Sequence, residues 1–140
     1  IDGTKYIYEA VNIAEKISEP EKRSGFLFAL ASILLKDDPI AAQGIINNAI
    51  KTLNKMEPTD LGRFFIQISI PLSCEGEDKN WYGDSVTIAN SNVFDSISLF
   101  SKHNPDDARQ IAENIDDKAS KIRALAIITK IALAKAKTQK

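Results

Sequence analysis

Cysteine is nearly missing from these 140 residues: Cys74 stands alone, so no intrachain disulfide can form, which is neutral about redox compartment. Histidine is as scarce, with only His103. One histidine and one cysteine cannot assemble the usual nitrogen and sulfur ligand sets of zinc, so no metal or cofactor is expected. No charge of one sign dominates. Eighteen basic and nineteen acidic side chains leave a formal net charge of −1, where a general nucleic-acid or anionic-membrane binder would carry a basic excess. No apolar run reaches the length of a membrane span. No glycine-rich phosphate loop and no catalytic constellation is present, so no enzyme activity is expected. No signal peptide is visible either. The chain opens at Ile1 rather than Met, which points to removal of an upstream segment, allows a longer native chain with further repeats, and leaves localisation open.

What is present is helical periodicity. Apolar residues make up 44% of the chain and charged ones 26%, as in a soluble globular domain, and 140 residues suit a single domain spanning 1–140. Tyr6, Ala10, Ile13, Ala14 and Ile17 make a first stripe at three- and four-residue steps. Ser18, Pro20 and Glu21 predict the next start, with Ser18 and Glu21 as a capping box. Leu27, Leu30, Ala31 and Leu34 follow, widened by Phe26, Phe28 and Ile33. Asp38-Pro39 opens a third helix with Ala42, Ile45, Ile46, Ala49 and Leu53. Glu57 to Asp60 predicts a fourth, with Leu61, Phe64, Phe65 and Ile68 inward and Pro71 as its stop.

Residues 73–83 are polar, acidic and bounded by Pro71 and Gly83, which predicts a loop. Asp84 then caps a fifth helix running to Phe100 through Val86, Ala89, Val93 and Ile97, although Val86-Thr87-Ile88 also suits a strand. Asn104-Pro105-Asp106-Asp107 gives the strongest start, placing two carboxylates at the positive end of a helix dipole. Asp116-Asp117 begins a seventh and last helix through Ile122, Leu125, Ile128 and Ile131.

The chain repeats itself. Residues 10–17 (AVNIAEKI) and 108–115 (ARQIAENI) share five of eight identities. The next helix follows in register, pairing Arg23 with Lys121, Leu27 with Leu125, Leu30 with Ile128 and Ile33 with Ile131. A third copy starts at Ala42, so the starts Ala10, Ala42 and Ala108 fit a period near 33. That period and the small-residue pattern resemble the tetratricopeptide-like superfamily of helical-hairpin repeats. The Trp, Leu-Gly and Tyr signature of that superfamily is missing, so no functional residue carries over, and HEAT-type packing is the alternative. The resemblance implies an all-α, right-handed α-solenoid of antiparallel helical hairpins, about seven helices in all. The period places a further start near residue 75, inside the acidic stretch. The third repeat is therefore expected to be irregular, its first helix replaced by a long loop at 73–83 and its second running from Asp84 to Phe100.

The remaining candidates have plain readings. His103 sits at a helix end, where it complements the dipole. Cys74 has no partner cysteine, and Glu75 beside it disfavours a thiolate. Glu75, Glu77, Asp78 and Asp84 lack the spacing of a calcium loop. Lys130, Lys135, Lys137 and Lys140 suit a helix C-terminus. Trp81 and Tyr82 either pack back onto the helices or serve as an aromatic anchor for a partner, and they are the candidate contact residues. The apolar cover of the last helix, Ile122 to Ala136, makes it an inner helix or one that meets a further repeat or another subunit.

The expectation is a non-catalytic module that binds a protein or peptide partner, with no nucleic acid and no membrane span. Self-assembly of a structural subunit through solenoid ends is the alternative. An enzyme or small-ligand binder near the acidic stretch would need a polar pocket joining Glu75, Asp78 and His103.

Overall fold

The computed structural model describes residues 3–56, 66–71 and 85–139. Six helices carry the fold: α1 (Thr4–Ala14), α2 (Pro20–Leu34), α3 (Pro39–Leu53), α4 (Val93–His103), α5 (Pro105–Glu113) and α6 (Lys118–Thr138). Between α3 and α4 lie two strands, β1 (Ile66–Pro71) and β2 (Ser85–Ser91), paired antiparallel. Among the described residues no helix is long and apolar enough to cross a membrane.

Capping chemistry sets most helix starts. Asp38 accepts from the Ala41 backbone N–H at 3.0 Å, with Pro39 beginning α3. Asn104 accepts from the Asp106 N–H at 3.0 Å ahead of Pro105, and Asp117 from the Ser120 N–H at 2.7 Å. These three starts are as expected. The Ser18 capping box is not formed: Pro20 is the first helical residue, so Glu19 takes the cap position without a side-chain bond and Ser18 falls one residue too early.

The stretch between α3 and α4 overturns the helical reading of its neighbours. Ile68 and Pro71, expected to finish a fourth helix, belong to β1, and 85–91, expected to begin a fifth, form β2. Ile66-Gln67-Ile68-Ser69-Ile70 alternates strictly, and Val86-Thr87-Ile88 is β-branched throughout, so both segments gain more from a pleated ladder than from a helix. Ile68 pairs with Ala89 and Ser69 with Thr87, which leaves Ile88 as the extra residue of a bulge. Helix α4 starts only at Val93. There Asn92 accepts from the Phe94 and Asp95 N–H groups, at 2.9 and 3.0 Å, and Asp95 accepts from the Asn92 N–H at 3.2 Å. This capping box, not Asp84, fixes the helix. The predicted fourth-helix residues Leu61, Phe64 and Phe65 and the predicted loop at 73–83 lie outside the described residues.

Packing follows chain order and then crosses the ribbon. α1 packs on α2, α2 on α3, α4 on α5 and α5 on α6; in addition α2 meets α4, α3 meets α5 and α4 meets α6. The ribbon lies against α2. Hydrogen bonds near both ends show that α1, α3 and α5 run in one direction. Tyr8 donates to Asp38 at 2.7 Å and Asn48 to Glu15 at 3.2 Å; Gln43 donates to Gln110 at 3.1 Å and Asn114 to Asn47 at 3.0 Å. On the other layer the Arg123 guanidinium stacks on the Phe94 ring at 4.1 Å, and the Lys135 ammonium donates to the Lys102 carbonyl at the end of α4.

A residue pattern recurs along the helices: Phe28, Ala31, Leu34 and Asp38-Pro39 have matches 66 residues later in Phe94, Ile97, Phe100 and Asn104-Pro105. The expected seven helices are six among the described residues, with β1 and β2 between α3 and α4. The loop at 73–83, on which the expected irregular third repeat rests, lies outside the described residues.

One core joins the two layers, from Val11 and Ala14 to Ala124 and Ile128. Phe28, Leu34, Ile97 and Phe100 are fully buried at its centre, as are Ile46 and Ile111. The first and last stripes are only partly covered: Ala14 is buried, but Tyr6 is 58% and Ile13 62% exposed, and Ile122 of the last helix is 68% exposed.

Candidate functional site

A concave surface runs along α3. Gly44, Asn47, Asn48, Lys51, Asn54 and Lys55 recur at helical spacing on its outer face, and Asn114 and Asp116 close one side. The groove encloses about 610 Å³. Its position follows from the fold, because α3 is flanked by α1 and α5 on the layer where these helices align.

Amide side chains set its chemistry. Asn48 uses one N–H on Glu15, and Asn47 accepts from Asn114. Asn54 bridges the far end, donating to the Asn114 carbonyl at 2.7 Å and accepting from the Asp116 backbone N–H at 3.2 Å. These bonds hold the amides in place. A primary amide offers two donors and an acceptor, so unused donors face the groove at Asn47 and Asn48. Lys51 and Lys55 are exposed and make no ion pair among the described residues. The surface therefore offers hydrogen-bond donors and two cations, with the Asp116 carboxylate at one side.

Trp81, Tyr82, Cys74, Glu75, Glu77, Asp78 and Asp84 lie outside the described residues. His103 is exposed in the last turn of α4, beside Lys102. Lys135 interacts with the C-terminal end of α4 rather than that of its own helix. No group of three or more His, Cys, Asp or Glu that could hold a metal is found among the described residues. None of the described residues singled out from the sequence as site candidates lines this groove. The available signal was the run of amides at 43, 47, 48 and 54, which shares one helical face.

Three carboxylates outside the groove titrate below their ordinary values; for Glu19 the causes are its own backbone N–H and then the Lys22 ammonium. The Ala41 backbone N–H and then the Tyr8 hydroxyl hold Asp38 below its ordinary value. The Ser120 hydroxyl and backbone N–H do the same for Asp117. Asp38 and Asp117 are helix caps, and the shift there records stabilisation of the charged cap.

No family model matches this chain, nor does any curated protein or solved structure.

Proposed function

We propose that the protein is a non-catalytic helical-repeat module of the tetratricopeptide-like kind, a right-handed α-solenoid of antiparallel helical hairpins with the β1–β2 ribbon between α3 and α4. Its partner is a protein segment, taken in extended form along the α3 groove. The observation that carries this reading is the alignment of α1, α3 and α5. Hydrogen bonds between Gln43 and Gln110 and between Asn47 and Asn114 join near-equivalent positions of successive repeats. Repeat stacks use such a surface for binding, because each repeat adds a similar set of side chains to one continuous face.

Amides and lysines select the occupant. Fixed amides can bond successive peptide groups irrespective of side chain, while Lys51 and Lys55 favour an acidic segment. The test is an isotope-labelled protein titrated with an array of extended peptides, acidic and neutral. Binding of acidic members should perturb the Asn47, Asn48, Asn54 and Asn114 side-chain amides. The double variant Lys51→Glu/Lys55→Glu should lose at least about tenfold in affinity, as for any reversal of facing charges. Perturbations that cluster elsewhere, or affinity indifferent to both lysines, overturn the groove assignment.

A further inference from the structure

Gly44 stands in the interior of α3 and lines the groove. Glycine weakens a helix interior, where it is the poorest former after proline. Nothing in the surrounding fold calls for it. A Cβ built at Gly44 meets no atom within 4 Å among the described residues, so no neighbouring group needs the space. Its backbone is helical, so no left-handed conformation requires glycine either. Two residues past the matched alanines Ala10, Ala42 and Ala108 stand Asn12, Gly44 and Gln110. All three are exposed. On α1 and α5 this position carries an amide side chain, and on α3, inside the groove, it carries none. Glycine suits places where another backbone or a ligand comes close to the chain.

The two cations supply a spacing. Lys51 and Lys55 are four residues apart on one helical face, about 6 Å along the axis. Every second side chain of an extended segment points the same way, at intervals of about 6.6–6.8 Å. The lysine pair therefore matches two side chains separated by one residue. Asn47 continues the same row by one more step of four. Gly44 lies roughly 10 Å from Lys51 along the axis, about three extended residues beyond the pair. The Asp116 carboxylate closes one flank, so negative charge is favoured over the lysines and opposed on that side.

We propose that the groove reads an extended segment with two acidic side chains separated by one residue. The acidic pair sits on Lys51 and Lys55, and the segment's backbone lies directly on α3 at Gly44. The proposal rests on the α3 groove as the binding surface and adds to it a register and a contact residue. The lysines fix which partner residues enter, and Gly44 admits the partner chain where a side chain would hold it off the helix.

Titration of the isotope-labelled protein with capped, serine-rich peptides of about nine residues tests the register. Each peptide carries two glutamates, adjacent in the first, separated by one serine in the second and by two in the third. Net charge is equal, so only spacing discriminates. The single-spacer peptide should bind about three- to fivefold tighter, as expected when one exposed ion pair is gained. Gly44→Leu should weaken it by at least about tenfold through overpacking, and Gly44→Ala by less. Gly44→Ala should also raise the melting temperature by roughly 2–4 °C, so its lost affinity is not lost folding. A Gly44→Ala protein that melts lower shows that the glycine serves the fold, and overturns the proposal. Binding that Lys51→Glu/Lys55→Glu loses and Gly44→Leu keeps also overturns it, while sparing the groove. Equal affinity for the three peptides does the same. Inorganic phosphate that displaces the favoured peptide at equal concentration shows a single anion site and overturns the paired register. No binding by any of the peptides, or binding indifferent to the lysines, removes the groove and this inference with it.

Discussion

Asp38 and Asp117 show how much a helix start depends on one side chain. Each carboxylate accepts from a backbone N–H of the first turn, and each titrates below the ordinary value of 3.8. A carboxyl depressed by folding adds stability that is complete above its unfolded value and is lost as pH falls through its folded value. Melting temperature should therefore decline below about pH 4. The double variant Asp38→Asn/Asp117→Asn keeps both acceptors but cannot titrate, so its acid decline should be shallower. Equal slopes would show that other carboxylates carry the acid sensitivity. In the core, Phe100→Ala should cost about 3–5 kcal/mol in denaturant unfolding, because Phe100 is fully enclosed. Ile122→Ala, at a side chain 68% exposed, should stay within about 0.5 kcal/mol. The caps at Asp38, Asn104 and Asp117 could be read from the sequence because proline or a first-turn acceptor marks them locally. The exposure of Ile13 could not: an apolar residue on a stripe is buried only when a neighbouring element covers it, and the stripe itself does not say whether one does.

At the scale of elements, the ribbon decides what the sequence made visible. A stripe through Leu61, Phe64, Phe65 and Ile68 satisfies a helix, while Ile66, Ile68 and Ile70 satisfy a strand, and short apolar runs support both periods. The pairing of β1 with β2 settles the matter, and pairing between segments fourteen or more residues apart leaves no local mark. The start of α4 did leave one. Asn92 and Asp95 are a capping pair three residues apart, overshadowed by Asp84 and the valine-rich segment after it. Asn92→Ala should destabilise the fold by about 1 kcal/mol, measured by denaturant unfolding. In the proposed repeat stack the ribbon is an insertion, so replacing residues 57–91 with a flexible linker of about ten residues, enough to reach roughly 15–20 Å, should preserve helical dichroism and cooperative unfolding. Loss of cooperativity would make the ribbon part of the core rather than an insertion.

Over the whole molecule, α1, α3 and α5, which the period near 33 spaces alike, run in one direction. Phe28, Leu34 and Pro39 match Phe94, Phe100 and Pro105 in sequence, and β1 and β2 stand where the pattern predicted helix. The groove was less legible than the fold, because its amides gain meaning only when α1 and α5 bring Glu15 and Asn114 beside them.

The insertion also sets an order of events in time. It divides the chain into two stretches, α1 to α3 and α4 to α6, each closed by short local connections. Bringing α2 to α4 and α3 to α5 requires closure of a much longer loop, and that entropy is spent before the contacts are gained. The two halves should therefore collapse first and dock late. Substitutions at the seam, such as Ser96→Ala, where the Ser96 hydroxyl meets Ser32 at 3.2 Å, should quicken unfolding while leaving the folding rate nearly unchanged. Substitutions inside a half, such as Ala112→Gly in α5, should slow folding instead. Stopped-flow rates for the pair would separate the two cases, and a seam variant that slowed folding would reverse the order.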